Sequence, residues 1–169
     1  ESIHPFYDGN GRTGRILNIL YLVLNNLIDS PILYLSKYIN KTKQEYYRLF
    51  IDVRKNKNYE DWILYILRGI EVTSKETIEL IQEIQNEMNS YKETFKTKLP
   101  KIYSKKLLES LFYEVYTKIS YIEKACSVTR LTATSYLNQL EEVGLLEAEK
   151  VGREKIYKNI RLIKLLSDK

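Results

Sequence analysis

The sequence predicts a mainly α protein, a helical bundle followed by a winged helix-turn-helix with a small β-hairpin. Apolar residues recur at helical spacing from Ile16 to Ile28 and again from Trp62 to Met88. Leu99-Pro100 marks a change of pattern. Beyond it, helix-like stretches give way to two short strand-like runs joined by Gly152-Arg153-Glu154. The expected division is therefore residues 1–99 and residues 100–169.

Taken in order, a first helix is expected from Thr13. Its residues Ile16, Leu17, Ile19, Leu20, Val23, Leu24, Leu27 and Ile28 cover most of the circumference, as in a central helix packed on several sides. Asp29-Ser30-Pro31 stops it. A short helical turn over 33–39 follows, and Asn40-Lys41-Thr42 caps a helix running through Val53. After the polar run Lys55 to Asn58, a long helix opens near Tyr59 or Glu60 and reaches about Lys96. In the second part we expect helices over 107–116, 119–126 and 129–143, with Thr129 as N-cap and Gly144 as terminator. Strands over 145–150 and 155–158 and a last helix from Arg161 complete the layout.

Composition narrows the chemistry. Of 169 residues, 44% are hydrophobic and 29% charged, the balance of a globular domain. A single cysteine, Cys126, excludes an internal disulfide framework, and one cysteine with one histidine excludes a protein-only transition-metal cluster. The unpaired thiol suits a reducing cytosol, so a cytoplasmic location is expected. The run from Ile16 to Ile28 is interrupted by Asn18, Asn25 and Asn26 and is shorter than the ~20 residues of a membrane span. No membrane association is expected. The net charge of +5 is spread along the chain and selects no partner.

The informative segment is His4-Pro5-Phe6-Tyr7-Asp8-Gly9-Asn10-Gly11-Arg12-Thr13-Gly14-Arg15. Glycines on both sides of Asn10 permit left-handed turns that aim backbone amides at an anion. The turn leads into a helix whose N-terminal amides and positive dipole end favour phosphate. Arg12 and Arg15, three apart, share a helix face and suit a di- or triphosphate. Asp8, an acid among anion-binding groups, suits a magnesium ion bridging phosphate oxygens, although a plain turn residue would also read this way. His4 is the group suited to act as a general base near neutral pH. The set implies metal-assisted nucleotidyl or phosphoryl transfer.

These residues resemble the Fic (Fic/Doc) family motif: histidine-proline-phenylalanine, an acid, Gly-Asn-Gly-Arg, and an arginine three residues on. The resemblance continues more loosely through Tyr46-Tyr47, Trp62 and Leu67-Arg68-Gly69 to a winged helix. It implies a Fic-type bundle, N-terminally incomplete, and a protein adenylyltransferase that moves AMP from ATP, with Mg2+, to a Ser, Thr or Tyr hydroxyl of a target protein. By that resemblance His4 deprotonates the hydroxyl and Asp8 holds magnesium. Asn10 and the amides of Gly9 and Gly11 orient the phosphates, Arg12 contacts the pyrophosphate, and Arg15 reaches the terminal phosphate. Gly11 favours AMP transfer, since kinase members carry lysine there. The family's flap and, in some members, an inhibitory helix lie upstream of the motif. The chain opens Glu1-Ser2-Ile3 without Met, so a fragment, a processed product or a truncated reading frame is expected.

Two alternatives stay open. The same site would suit another phosphate-containing group. A non-catalytic fragment would act through the winged helix, by DNA or by partner docking. Thr129, Arg130, Thr132, Thr134, Ser135, Asn138 and Gln139 would meet DNA, but Glu141, Glu142, Glu147 and Glu149 crowd the wing. Docking or homodimerisation is favoured over DNA, with Val128, Leu131, Leu137 and Leu140 as core.

Overall fold

Two asparagines and a glycine set the limits of the first helix. The computed structural model describes residues 3–152 and 154–167. Arg153, in the expected hairpin link, lies outside them, as do Glu1 and Ser2. Helix α1 (Asn10–Leu24) starts three residues before the expected Thr13, because Gly9 takes a left-handed φ of 84° as its N-cap. It also ends earlier than Ile28. The Asn25 side chain donates to the Tyr21 carbonyl (2.8 Å) and Asn26 adopts φ 54°, a conformation asparagine tolerates.

Helices α2 (Leu35–Lys41), α3 (Lys43–Asn56) and α4 (Tyr59–Lys98) follow where the sequence places them. Their apolar faces meet through Leu35, Ile39, Tyr46, Leu49 and Tyr65, with Tyr38, Trp62, Ile66, Ile70 and Ile19 of α1 packed around them. The rings of Tyr46 and Trp62 lie 5.1 Å apart, and the Thr42 and Tyr65 hydroxyls are bonded at 2.7 Å. Gly69 is required by close approach. A Cβ there would come within 2.8 Å of both Leu35 Cδ1 and Tyr38 Cδ1.

Helix α1 is not the buried central helix expected. Asn10 is its one buried residue, while Ile16, Leu17, Leu20, Tyr21 and Leu24 are exposed. Ile19 reaches the α2–α4 core, but no described residue covers the opposite side.

The compact units of the chain divide between Glu79 and Leu80, inside α4. The composition change instead falls at Leu99-Pro100, where α4 ends. The reason is that Tyr91 and Phe95, on the last turns of α4, are fully buried in the second core.

That second unit runs α5 (Lys105–Tyr113), β1 (Tyr116–Lys118), α6 (Ile119–Cys126), α7 (Arg130–Glu142), β2 (Glu147–Val151), β3 (Glu154–Lys158) and α8 (Ile160–Ser167). The strands form one antiparallel sheet in the order β1-β3-β2, with Thr117 opposite Tyr157 and Ala148 on the other side of Tyr157. Helical periodicity alone extends α5 to Tyr116. Instead α5 stops at Tyr113 and Tyr116 enters β1, because pairing with β3 offers this β-prone segment a full ladder. As expected, Thr129 caps α7, its hydroxyl accepting from the Thr132 amide at 3.3 Å, and Gly144 turns the chain at φ 75°. Leu131, expected in the core, is 84% exposed. Leu137 and Leu140 are buried as expected, Val128 packs against the same core, and Ala133 is the further buried residue of α7.

Tyr91 joins these elements. Its hydroxyl proton is shared between the Leu145 carbonyl (2.6 Å) and Asn159 Oδ1 (2.8 Å). Buried Asn159 in turn donates to the Leu111 carbonyl and accepts from the Leu162 amide. Burial pushes the Tyr91 phenol up to about 12 from 10.0. The raised value favours the folded form while the phenol is protonated. That contribution is complete below pH 10 and disappears as pH rises towards about 12.

Two stability measurements test this packing. Gly69→Ala should lower the melting temperature, since ~1–3 kcal/mol of overpacking outweighs the ~1 kcal/mol gained in helix propensity. Thermal unfolding followed by circular dichroism checks this. Tyr91→Phe should cost about 1–2 kcal/mol at neutral pH by leaving acceptors unpaired. The gap from the parent chain should narrow in denaturant titrations above pH 10.

Candidate functional site

An α-helix leaves its first amides without intrahelical partners, and here that end sits in the middle of the motif. The first helical bond of α1 runs from the Thr13 amide to the Gly9 carbonyl at 2.9 Å. The amides of Gly11 and Arg12 therefore lie ahead of the hydrogen-bonded ladder, at the positive end of the helix dipole. The sequence permits left-handed turns at both glycines. Gly9 takes one, and Gly11 lies within the helix, partly buried.

The charged groups gather around this end. Asp8 is exposed, with one carboxylate oxygen accepting from the Gly9 amide (2.6 Å) and the other paired with Arg12 (3.0 Å). The Gly9 amide is thus already occupied. A Cβ at Gly9 would lie 3.5 Å from the Arg12 guanidinium and would be strained at the positive φ. Arg15 is half-buried, and its Nε is buried with no hydrogen-bond partner. Arg12 and Arg15 border a cleft of about 390 Å3 walled by Ile16, Ile19, Leu33 and Tyr34. Two guanidinium groups, one of them with an unsatisfied donor, beside open helix amides can hold a multiply charged phosphate chain.

His4 and Asn10 form the other half. His4 is exposed, with a left-handed φ of 51° that is uncommon away from glycine. Asn10 is 6% exposed. Its Oδ1 accepts from the Phe6 amide (2.9 Å), and its Nδ2 donates to the Phe6 carbonyl (2.7 Å) and approaches the His4 ring nitrogens at 3.2 and 3.4 Å. The family resemblance implies that Asn10 orients phosphates, and the spacing gives no sign of this backbone clamp. An asparagine four residues after Phe6 at a helix start is the signal that carried it.

As for a metal, no group of three His, Cys, Asp or Glu side chains converges among the described residues. Asp8 offers one exposed carboxylate. That donor set fits an ion such as magnesium, which draws most of its ligands from phosphates and water. No helix among the described residues is long and apolar enough to cross a membrane. In the second unit, Lys118, Lys155 and Lys158 are paired with Glu154, Glu141 and Glu149.

Comparison with known proteins converges on the same segments. Residues 1–22 match the Fic/DOC family. Residues 88–162 match the family described as protein adenylyltransferase SoFic-like, C-terminal domain, which takes in the last turns of α4 together with α5–α7 and the sheet. A probable protein adenylyltransferase of Aquifex aeolicus is 29% identical over 154 residues, covering 89% of this chain. The chain spans 42% of the length of that relative. The chain is thus similar to the Fic/DOC family in the segment that holds the motif and to an adenylyltransferase C-terminal domain in its second unit.

Proposed function

We propose that this chain carries the nucleotide-phosphate site of a protein adenylyltransferase, which moves AMP from ATP to a Ser, Thr or Tyr hydroxyl of a target protein. The observation that supports it most is the start of α1. Helix amides open after left-handed Gly9, with Asp8, Arg12 and Arg15 around them, inside the segment matched to the Fic/DOC family.

In this reading the amides of Gly11 and Arg12 and the guanidinium of Arg12 hold the phosphates. Arg15, on the wall of the same cleft, reaches the terminal phosphate. Asp8 would hold a magnesium ion, which would supply charge neutralisation on the phosphates. His4 accepts the proton of the target hydroxyl as its oxygen bonds to the α-phosphorus. The bond from that phosphorus to the bridging oxygen breaks, and pyrophosphate leaves. Gly11, where a lysine would favour phosphate transfer, supports transfer of AMP. The unit that ends at Glu79 carries the chemistry, and the winged-helix module beyond Leu99-Pro100 takes the last turns of α4 into its core. The pairing of Lys118, Lys155 and Lys158 with glutamates supports protein docking over DNA for that module.

The test compares ATP labelled at the α-phosphate with ATP labelled at the γ-phosphate, in a cell lysate with magnesium, counting only label that depends on adding the chain. Label should reach protein from the α-position only, and His4→Ala should reduce it by about 100-fold or more. Label from the γ-position, or α-label indifferent to His4→Ala, would contradict the reading.

A further inference from the structure

We infer that Asn10 is a positioning residue, which fastens the strained His4–Phe6 segment to the first turn of α1 and so sets the orientation of the His4 ring. The catalytic part of this inference rests on the adenylyl-transfer reading of the site.

A primary amide has two protons to donate and one oxygen to accept with. At Asn10 all three functions are directed to the preceding turn. The oxygen takes the Phe6 N–H, one amide proton goes to the Phe6 carbonyl, and the other lies towards the His4 ring. No donor is left over for a phosphate oxygen unless the His4 contact is given up. Burial raises the value of these bonds, since Asn10 is the one residue of α1 removed from solvent and an unmade bond there would carry a full desolvation cost.

The segment it holds needs holding. His4 sits at φ 51°, a backbone conformation that costs a non-glycine residue of order 1 kcal/mol or more and persists only where its surroundings impose it. Pro5 restricts His4 further and supplies no amide of its own. The rest of the segment is poorly anchored, with Phe6 half exposed and Tyr7 fully so. The Asn10 amide is therefore the fixed point through which the rigid helix dictates where His4 lies. The Asn10 amide nitrogen lies 3.2 and 3.4 Å from the two ring nitrogens, so it fixes the ring's place without singling out either nitrogen. Phosphate binding then falls to the Gly11 and Arg12 amides and the two arginines, none of which is engaged in the clamp.

His4 is the single histidine in the sequence, so a chain labelled with 15N-histidine gives one imidazole pattern. In the parent chain that pattern should reflect a ring held against the Asn10 amide. Asn10→Ala should shift the imidazole resonances and speed exchange of the Phe6 amide by about tenfold. Asn10→Asp keeps an acceptor for the Phe6 amide but loses both donated bonds. It should preserve much of the amide protection while still releasing the ring, and it serves if the alanine variant folds poorly. In the transfer assay, Asn10→Ala should lower kcat by about 10–100-fold while half-saturation by ATP moves by no more than about threefold. An unchanged imidazole pattern and unchanged Phe6 exchange would overturn the inference. So would a loss confined to ATP affinity with kcat intact. Should the parent chain transfer no label, the function reading fails, yet the imidazole and exchange measurements still decide the role of Asn10.

Discussion

Helix α1 begins abruptly, and the site depends on how that beginning is built. The helix is entered through a left-handed residue, and the amides ahead of Thr13 have no helical carbonyl to bond as soon as the chain leaves Gly9. Asp8 and Arg12 close over the turn from outside, and Asn10 closes it from within by bonding both backbone groups of Phe6. The segment that carries His4 is thereby tied to a rigid helix although most of its side chains are exposed. A flexible loop would place the same residues near one another only transiently, at a cost to any reaction that needs a base and a phosphate in fixed relation.

The two units contribute in different ways. The first supplies the motif and a core of aromatic and branched residues from α2, α3 and α4, into which Gly69 permits a close helix approach. The second is a self-contained arrangement in which Tyr91 and Asn159 bind α4, α5 and α8 together from a fully buried position. The match to an adenylyltransferase C-terminal domain begins at residue 88, close to where α4 enters this core. The sequence similarity and the packing thus agree that the end of α4 belongs with the second unit.

Local signals make much of this fold legible in the sequence. Helix α6 and the Thr129 cap of α7 lie where periodicity and capping chemistry put them, because both are decided within a few residues. Strand β1 is not legible in this way, since the segment from Tyr116 becomes a strand only through pairing with the distant β3, in the register Tyr116 to Lys158. The same limit applies to Leu131, whose type suggests core but whose place on α7 turns it outward. At the site, the motif discloses which residues gather but not how they share their bonds. That Asn10 is engaged by Phe6 and His4, that Asp8 occupies the Gly9 amide, and that Arg15 Nε has no partner are consequences of three-dimensional closure.

The central claim is that the exposed start of α1 binds the phosphates of a nucleotide. Its most direct test is a titration of the 15N-labelled chain with ATP and magnesium, followed through backbone amide and arginine Nε resonances. The account predicts saturable shifts centred on the Gly11 and Arg12 amides and on Arg15 Nε, weaker with AMP than with ATP. Shifts confined to other residues, or equal responses to ATP and AMP, would contradict it.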